Sequence, residues 1–150
     1  MALVEQIQND MKAALLGGDR FVGDTLRNLK AAILNEEVAS GKRDTGLTDG
    51  EIEQIVAREV KKRHESIKLY EANGRPELAE PEKNEIAVIE KYLPAQLGEE
   101  ELIAIIDEQI AALGADMSKM GQVIGAVKAK TGTSADGATI ASLVKQQLSK

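Results

Sequence analysis

The sequence has no cysteine and no tryptophan, and aromatic residues make up only 2% of it. Without cysteine, disulfides, thiol chemistry and thiolate metal ligation are excluded, and a reducing compartment fits. Without large rings, the core must be built from Leu, Ile, Val, Ala and Met, which suits interdigitating helices. The apolar share of 43% is ordinary for a globular protein, so the whole chain is expected to fold.

Motifs for catalysis are also missing. The sequence holds no P-loop, no G-x-G-x-x-G and no G-x-S-x-G elbow. His64 is the only histidine, and a zincin helix is rejected because Lys68 stands where the second histidine would be needed. His64 is either a general base or a packed or half-exposed helix residue, and the second interpretation is favoured. The chain is expected not to be an enzyme by itself and to need no cofactor or metal.

Segments for targeting and membrane insertion are not apparent. Glu5 and Asp10 interrupt the amino terminus, which argues against a signal peptide. No run approaches the roughly 18 apolar residues of a membrane span. The sequence therefore predicts a cytoplasmic protein with no membrane contact.

The charge is unevenly distributed. A net charge of −6 argues against a general nucleic-acid binder. From residue 115 onward, however, the sequence has five lysines and only two acidic residues, Asp116 and Asp136. Any nucleic-acid contact is therefore expected in this last part of the chain.

The segment 47–97 sets the predicted architecture. Thr48 and Glu51 have the spacing of a capping box, and Asn73-Gly74 is a helix stop. A long helix at about 49–73 is thus predicted, followed by a helix that folds back and ends at Pro94. Its inward residues are expected to be Ile86, Ile89 and Leu93.

The remaining segments also have the helical period. Helices are predicted at 3–16 and from about 20 to 39, which gives an antiparallel four-helix domain over 1–95. Pro94–Gly98 marks the boundary to a three-helix domain over 96–150. No strand period occurs, so the predicted fold class is all-α. The inward stripes expected for the first two helices of the second domain are Leu102, Ile106, Ile110 and Leu113, then Met117, Met120, Ile124 and Val127.

A pair of glycines, Gly121 and Gly125, lies inside one predicted helix, where each costs roughly 1 kcal/mol relative to alanine. The favoured interpretation is close approach of a neighbouring helix. The alternative is that the bare backbone admits a ligand such as an RNA sugar-phosphate, with Lys128 and Lys130 holding phosphates. Both lysines are also ordinary partners for a helix C-terminus.

A second basic group lies on the long central helix. It is either a charged face paired with Glu59 and Glu65 or a stripe for phosphates or an acidic partner. Its members are Arg58, Lys61, Lys62, Arg63 and Lys68. The candidate nucleic-acid contacts of the whole chain are Lys119, Gly121, Gly125, Lys128, Lys130 and Lys145, with Lys61, Lys62 and Arg63.

Two segments resemble the GatB/YqeY family, and most closely its stand-alone YqeY-type members. They are VKKRHESIKLYEANGRPELAEPEKNEIAVIEKYLPAQLGEEEL at 60–102 and MGQVIGAVKAKTGTSADGATIASLVKQQL at 120–148. The resemblance implies an all-α fold of four helices followed by three. It also implies kinship with the tail of the B subunit of the glutamine-dependent tRNA amidotransferase, a tail that helps to grip tRNA.

The resemblance suggests two functions. The first is a non-catalytic module that binds tRNA or another structured RNA. The second is a protein-interaction module or an accessory of a glutamine-dependent amidotransferase, a carbon–nitrogen ligase whose chemistry lies in other subunits. Family members often carry basic residues around the Ala-Asp-Gly turn, where this chain has Ser134 and Ala138, and this thins the positive patch.

Overall fold

The computed structural model describes residues 2–150, and these residues form helices and no strand, which confirms the all-α prediction. Residues up to Leu93 and residues from Pro94 onward form two compact units. The α-helices are α1 (Leu3–Leu16), α2 (Arg20–Ala39), α3 (Asp49–Ala72), α4 (Pro76–Ile89), α5 (Glu99–Leu113), α6 (Met120–Thr131) and α7 (Gly137–Leu148). Short 3₁₀ turns occupy Glu90–Tyr92, Met117–Lys119 and Gly132–Ser134.

Helix α3 begins with the predicted capping box. The Thr48 hydroxyl accepts a hydrogen bond from the Glu51 N–H at 3.2 Å, and a Glu51 carboxylate oxygen accepts one from the Thr48 N–H at 3.2 Å. Lys42 lies 2.7 Å from the other Glu51 oxygen and lowers the pKa of that carboxyl. Asp49 accepts a bond from the Leu3 N–H at 3.0 Å, so the start of α1 is tied to the start of α3.

The core of the first unit is aliphatic except for one tyrosine. Tyr92 is buried and donates its hydroxyl proton to Asp10 at 2.6 Å. Burial and this bond raise the pKa of Tyr92 above its ordinary value. The buried residues are Ile7, Leu26, Leu29, Ile33, Ile52, Ile55, Val56, Ile89 and Tyr92.

The end of α4 differs from the prediction. The α-helix stops at Ile89 and tightens into a 3₁₀ turn, instead of continuing to Pro94. Leu93 is extended, as a residue before proline prefers, and is only half-buried. Leu93 still packs partly buried against the core, as predicted, and Tyr92 is a further buried residue that the prediction left out.

An ion-pair network joins α3 to α4. The Arg63 side chain is only 13% exposed, and its Nε lies 2.9 Å from a Glu85 carboxylate oxygen. A second guanidinium nitrogen donates to the Glu59 carbonyl at 3.0 Å. This network lies on the same two helices as a small core of Ile67, Ala79 and Ile86.

The second unit packs α5, α6 and α7 around its own aliphatic core. The buried residues are Leu102, Ile106, Val123, Val127, Ile140, Leu143 and Val144. Leu113 and Met117 are exposed, which corrects the predicted inward stripes. Leu113 is the last residue of α5, before the left-handed Gly114. Met117 lies in a 3₁₀ turn capped by Asp116, so it precedes α6 and does not share its buried face.

We expect Arg63→Met to lower the free energy of unfolding by about 1–3 kcal/mol, because it leaves Glu85 without its cation and Glu59 with Lys62 alone. Glu85→Gln in the same chain should recover part of this loss, since the two changes share one interaction. Both tyrosines, Tyr70 and Tyr92, belong to the first unit, so tyrosine fluorescence during urea unfolding follows that unit alone.

Arg27→Met is the control, because the Arg27–Asp24 pair is well exposed and should contribute about 0–1 kcal/mol. Equal losses for Arg63→Met and Arg27→Met would contradict a stabilising role for the network.

Candidate nucleic-acid interface

Helix α6 has one buried face and one bare face. Val123, Val127 and Thr131 point into the core at helical spacing. Gly121 and Gly125 are exposed on another face of the helix, and Lys128 follows them at the next position of that face. The buried stripe fixes how α6 is rotated, so it also fixes which backbone surface is left open to solvent.

The two glycines are not required by packing. A Cβ atom built on Gly121 or Gly125 meets no other group within 4 Å. The prediction that a neighbouring helix approaches here is therefore wrong. Gly23 shows the opposite situation, since a Cβ there would overlap the side chain of Leu15. Within the second unit, the fold gives no reason for glycine at either α6 position.

Lys128 reaches the start of α7. Its Nζ lies 3.4 Å, and its Cε 3.3 Å, from the position of a Cβ built on Gly137, the first residue of α7. Asp136 caps that helix by accepting from the Thr139 N–H at 3.1 Å. Among residues 2–150, Lys128 forms no ion pair. The Lys128 ammonium and the positive end of the α7 dipole thus lie close together, beside the Asp136 carboxylate that already caps this helix.

The other predicted lysines of the second unit differ in how they are engaged. Lys130 pairs with Glu108 at 3.3 Å. Lys145 is exposed on α7 and has no ion pair within the described part of the chain. Lys119 is half-buried beside Asp116, whose pKa is lowered first by hydrogen bonds from Ser118 and to a smaller extent by Lys119. Lys128 and Lys145 are therefore the cations most available to a ligand.

The basic residues of α3 belong to the first unit. Lys61 is exposed, and Lys62 is exposed while pairing with Glu59 at 3.1 Å. Arg63 is held inside the unit by Glu85 and Glu59 and is not available at the surface. Two separate groups of candidate contacts result, one in each unit.

The histidine and the acidic side chains form no metal site in the part of the chain that the structure describes. His64 is exposed on α3, outside any core. Within residues 2–150, no group of three or more His, Asp or Glu side chains is placed to hold a metal ion. None of the described helices is both long and apolar enough to cross a membrane.

The sequence pointed to Gly121, Gly125 and Lys128, but not to Gly137. The one available signal was Asp136-Gly137, where an N-cap residue is followed by a glycine, which has no side chain and leaves space beside the helix start. That Lys128 reaches this point depends on how α6 and α7 pack, which helical periodicity does not give. Ser134 has a structural contact instead, since its backbone carbonyl accepts a hydrogen bond from the Leu97 N–H at 2.8 Å.

These features describe an all-helical protein with two compact units and an exposed basic face in the second. The profile of the YqeY-like protein family matches residues 4–148, and the chain belongs to that family.

Several relatives are yeast proteins called "altered inheritance of mitochondria protein 41, mitochondrial". The one from Kluyveromyces lactis is 28% identical over 137 residues, which are 85% of this chain and 70% of the relative. The one from Clavispora lusitaniae is 28% identical over 109 residues, 73% of this chain and 58% of the relative. The one from Eremothecium gossypii is 35% identical over 89 residues, 59% and 48% of the two chains. The chain thus spans less than two thirds of the last two relatives.

We expect Gly121→Ala and Gly125→Ala to raise the stability of the second unit by roughly 0.5–1 kcal/mol each. Alanine prefers the helix, and the added methyl groups meet open space. Hydrogen exchange of the α6 amides measures the change, because the second unit contains no tyrosine.

Gly23→Ala should be destabilising, since its methyl group would displace Leu15. We expect slower exchange of the α6 amides in the α6 variants, and faster exchange of the α2 amides in Gly23→Ala. Faster exchange in α6 after either α6 change would mean that these glycines serve the fold.

Proposed function

We propose that this chain is a non-catalytic module that binds structured RNA, in the first place tRNA, through α6 and the start of α7. The observation that carries the proposal is the open glycine face of α6, formed by Gly121 and Gly125 and ending at Lys128. Helix-interior glycines lower stability, and here no packing contact compensates for them. A ligand that needs the helix backbone itself would explain their presence.

The proposed contact is with the sugar-phosphate backbone. Without side chains at Gly121 and Gly125, a ribose-phosphate strand approaches the helix backbone more closely than alanine would permit. Lys128 and the N-terminal amides of α7 then face a phosphate from two sides. Lys145 and Lys119 are proposed as flanking contacts, and Lys130 as a weaker one because Glu108 competes for it.

Recognition would be by shape. Residues 94–150 contain no aromatic side chain on which a base could stack. Ser134 and Ala138 add no charge, so a small number of lysines would supply the phosphate contacts. Lys61 and Lys62 of the first unit are proposed as additional contacts, whereas the buried ion pair of Arg63 argues for leaving that residue out.

We further propose that the two compact units are separate domains, with four helices over 1–95 and three over 96–150. Each unit has its own buried aliphatic core, which is what an independent domain needs. A cytoplasmic location also stays a proposal, because the yeast relatives are mitochondrial by name.

The test is a titration of the full chain against bulk tRNA at low and moderate salt. Lys128→Glu should weaken binding and reduce the salt slope by about one unit, as expected for one lost phosphate contact. Gly121→Ala with Gly125→Ala should also weaken binding. Since these changes are expected to stabilise α6, the loss could not be attributed to unfolding.

The matched control is Lys12→Glu, which changes the net charge equally at an exposed position of α1. It should leave the tRNA affinity within about twofold, as for a surface change away from the interface. No binding at low salt would refute the RNA proposal. Binding that is indifferent to salt would favour the alternative of a protein partner, such as an amidotransferase subunit.

A further inference from the structure

The exposed surface of α2 loses its charges toward the C-terminal end. Between residues 31 and 39, the two glutamates, Glu36 and Glu37, are partly buried, and every fully exposed position is uncharged. These positions are Ala31, Leu34, Asn35, Val38 and Ala39. Val38 is 59% exposed, and charged residues make up 29% of the chain, so this surface differs from the rest. A continuous uncharged surface of this kind is typical of a contact site, whereas single exposed leucines are common.

A groove runs between this end of α2 and the middle of α3. Its volume is about 280 Å³. Ala32, Ala39 and Ile55 provide its apolar lining, and Asn35 provides an amide. On the α2 helix, Ala31 and Val38 lie beside Asn35, so the uncharged surface continues from the outer face of α2 into the groove.

The charges that line the groove are arranged by depth. On α3, the side chains of Arg58 and Lys62 are 55% and 66% exposed. Their partners are less exposed, at 42% for Glu36 and 14% for Glu59. The four charges cancel in number, but the two cations are presented to solvent while the carboxylates lie closer to the protein. A ligand in the groove therefore meets a positive edge along α3.

We propose that this groove docks an amphipathic helix of a protein partner, whose apolar side enters between α2 and α3 and whose flank toward α3 is acidic. A helix laid in a groove buries side chains at spacings of three and four residues. Ala32 and Ala39 are small and leave room for such side chains here. Carboxylates on its flank would pair with Arg58 and Lys62, which are one helical turn apart. The site lies in the first unit and does not involve α6, but it shares Lys62 with the RNA contacts proposed above.

The probe is a pair of synthetic amphipathic helices of about 12–16 residues, long enough to be helical when bound. They share one leucine stripe and differ only in one flank, which is Glu in one peptide and Lys in the other. The full isotope-labelled chain is titrated with each peptide and followed by NMR. Shifts are expected at Ala32, Asn35, Val38, Arg58 and Lys62, and the Glu peptide should bind at least about tenfold more tightly.

Three variants locate the site. Val38→Glu should weaken the Glu peptide at least about tenfold, because it places a charge on the apolar surface. Arg58→Glu with Lys62→Glu should reverse the preference between the two peptides. Leu16→Glu is the matched control, since Leu16 is also an exposed apolar residue but lies at the end of α1, outside the groove lining, and it should change binding by less than about twofold.

Several outcomes would overturn the proposal. Equal affinity for both peptides would mean that the groove binds apolar side chains without selecting an acidic flank. NMR shifts confined to other surfaces, or no shifts at millimolar peptide, would mean that the groove is not a binding site. Shifts at Ala32, Asn35 and Val38 on adding tRNA alone would assign the groove to RNA. Self-association that is lost in Val38→Glu would assign it to a second copy of this chain.

Discussion

The structure depends on narrow stripes of aliphatic side chains, because the chain has almost no aromatic residues with which to fill space. Apart from Tyr92, each residue of the two main cores is a branched aliphatic one, so the helices must pack closely to fill the space between them. A helix that is buried along one stripe has a large outer surface, and the fold does not dictate the residues there. In both units this free surface carries the features that call for a functional explanation.

Helix α6 illustrates this separation between fold and surface. Val123 and Val127 pack it against α5 and α7, and this packing would tolerate almost any residue on the solvent-facing side of the helix. Glycine is among the worst choices for the outside, since it favours the unfolded chain. Local preferences and the global fold usually agree, and positions where they disagree without structural need tend to be functional. The same argument does not apply to Gly23, where Leu15 occupies the space that a side chain would need.

What the sequence predicted well is local. The capping box at Thr48 and the stop after Ala72 depend on residues within one or two turns, and both are found. Met117 was misassigned because Asp116 caps a separate 3₁₀ turn, Met117–Lys119, and α6 begins only after that turn. The space around Gly121 and Gly125 depends on where other helices lie, and periodicity alone favoured the wrong interpretation. The position of Lys128 beside Gly137 was out of reach for the same reason.

The basic residues show why composition is a poor guide to binding. Arg63 contributes to every charge count, yet it pairs with the carboxylates of Glu59 and Glu85 inside the first unit. Lys130 is compensated by Glu108, whereas Lys128 has no such partner among the described residues and lies against the positive end of α7. Exposed charges separated by more than about 10 Å are largely screened at physiological salt. A phosphate near Lys128 would therefore respond to that lysine and to α7 far more than to a net charge of −6. An acidic protein can present a basic face wherever a cation is left unpaired, so the RNA hypothesis rests on pairing and not on net charge.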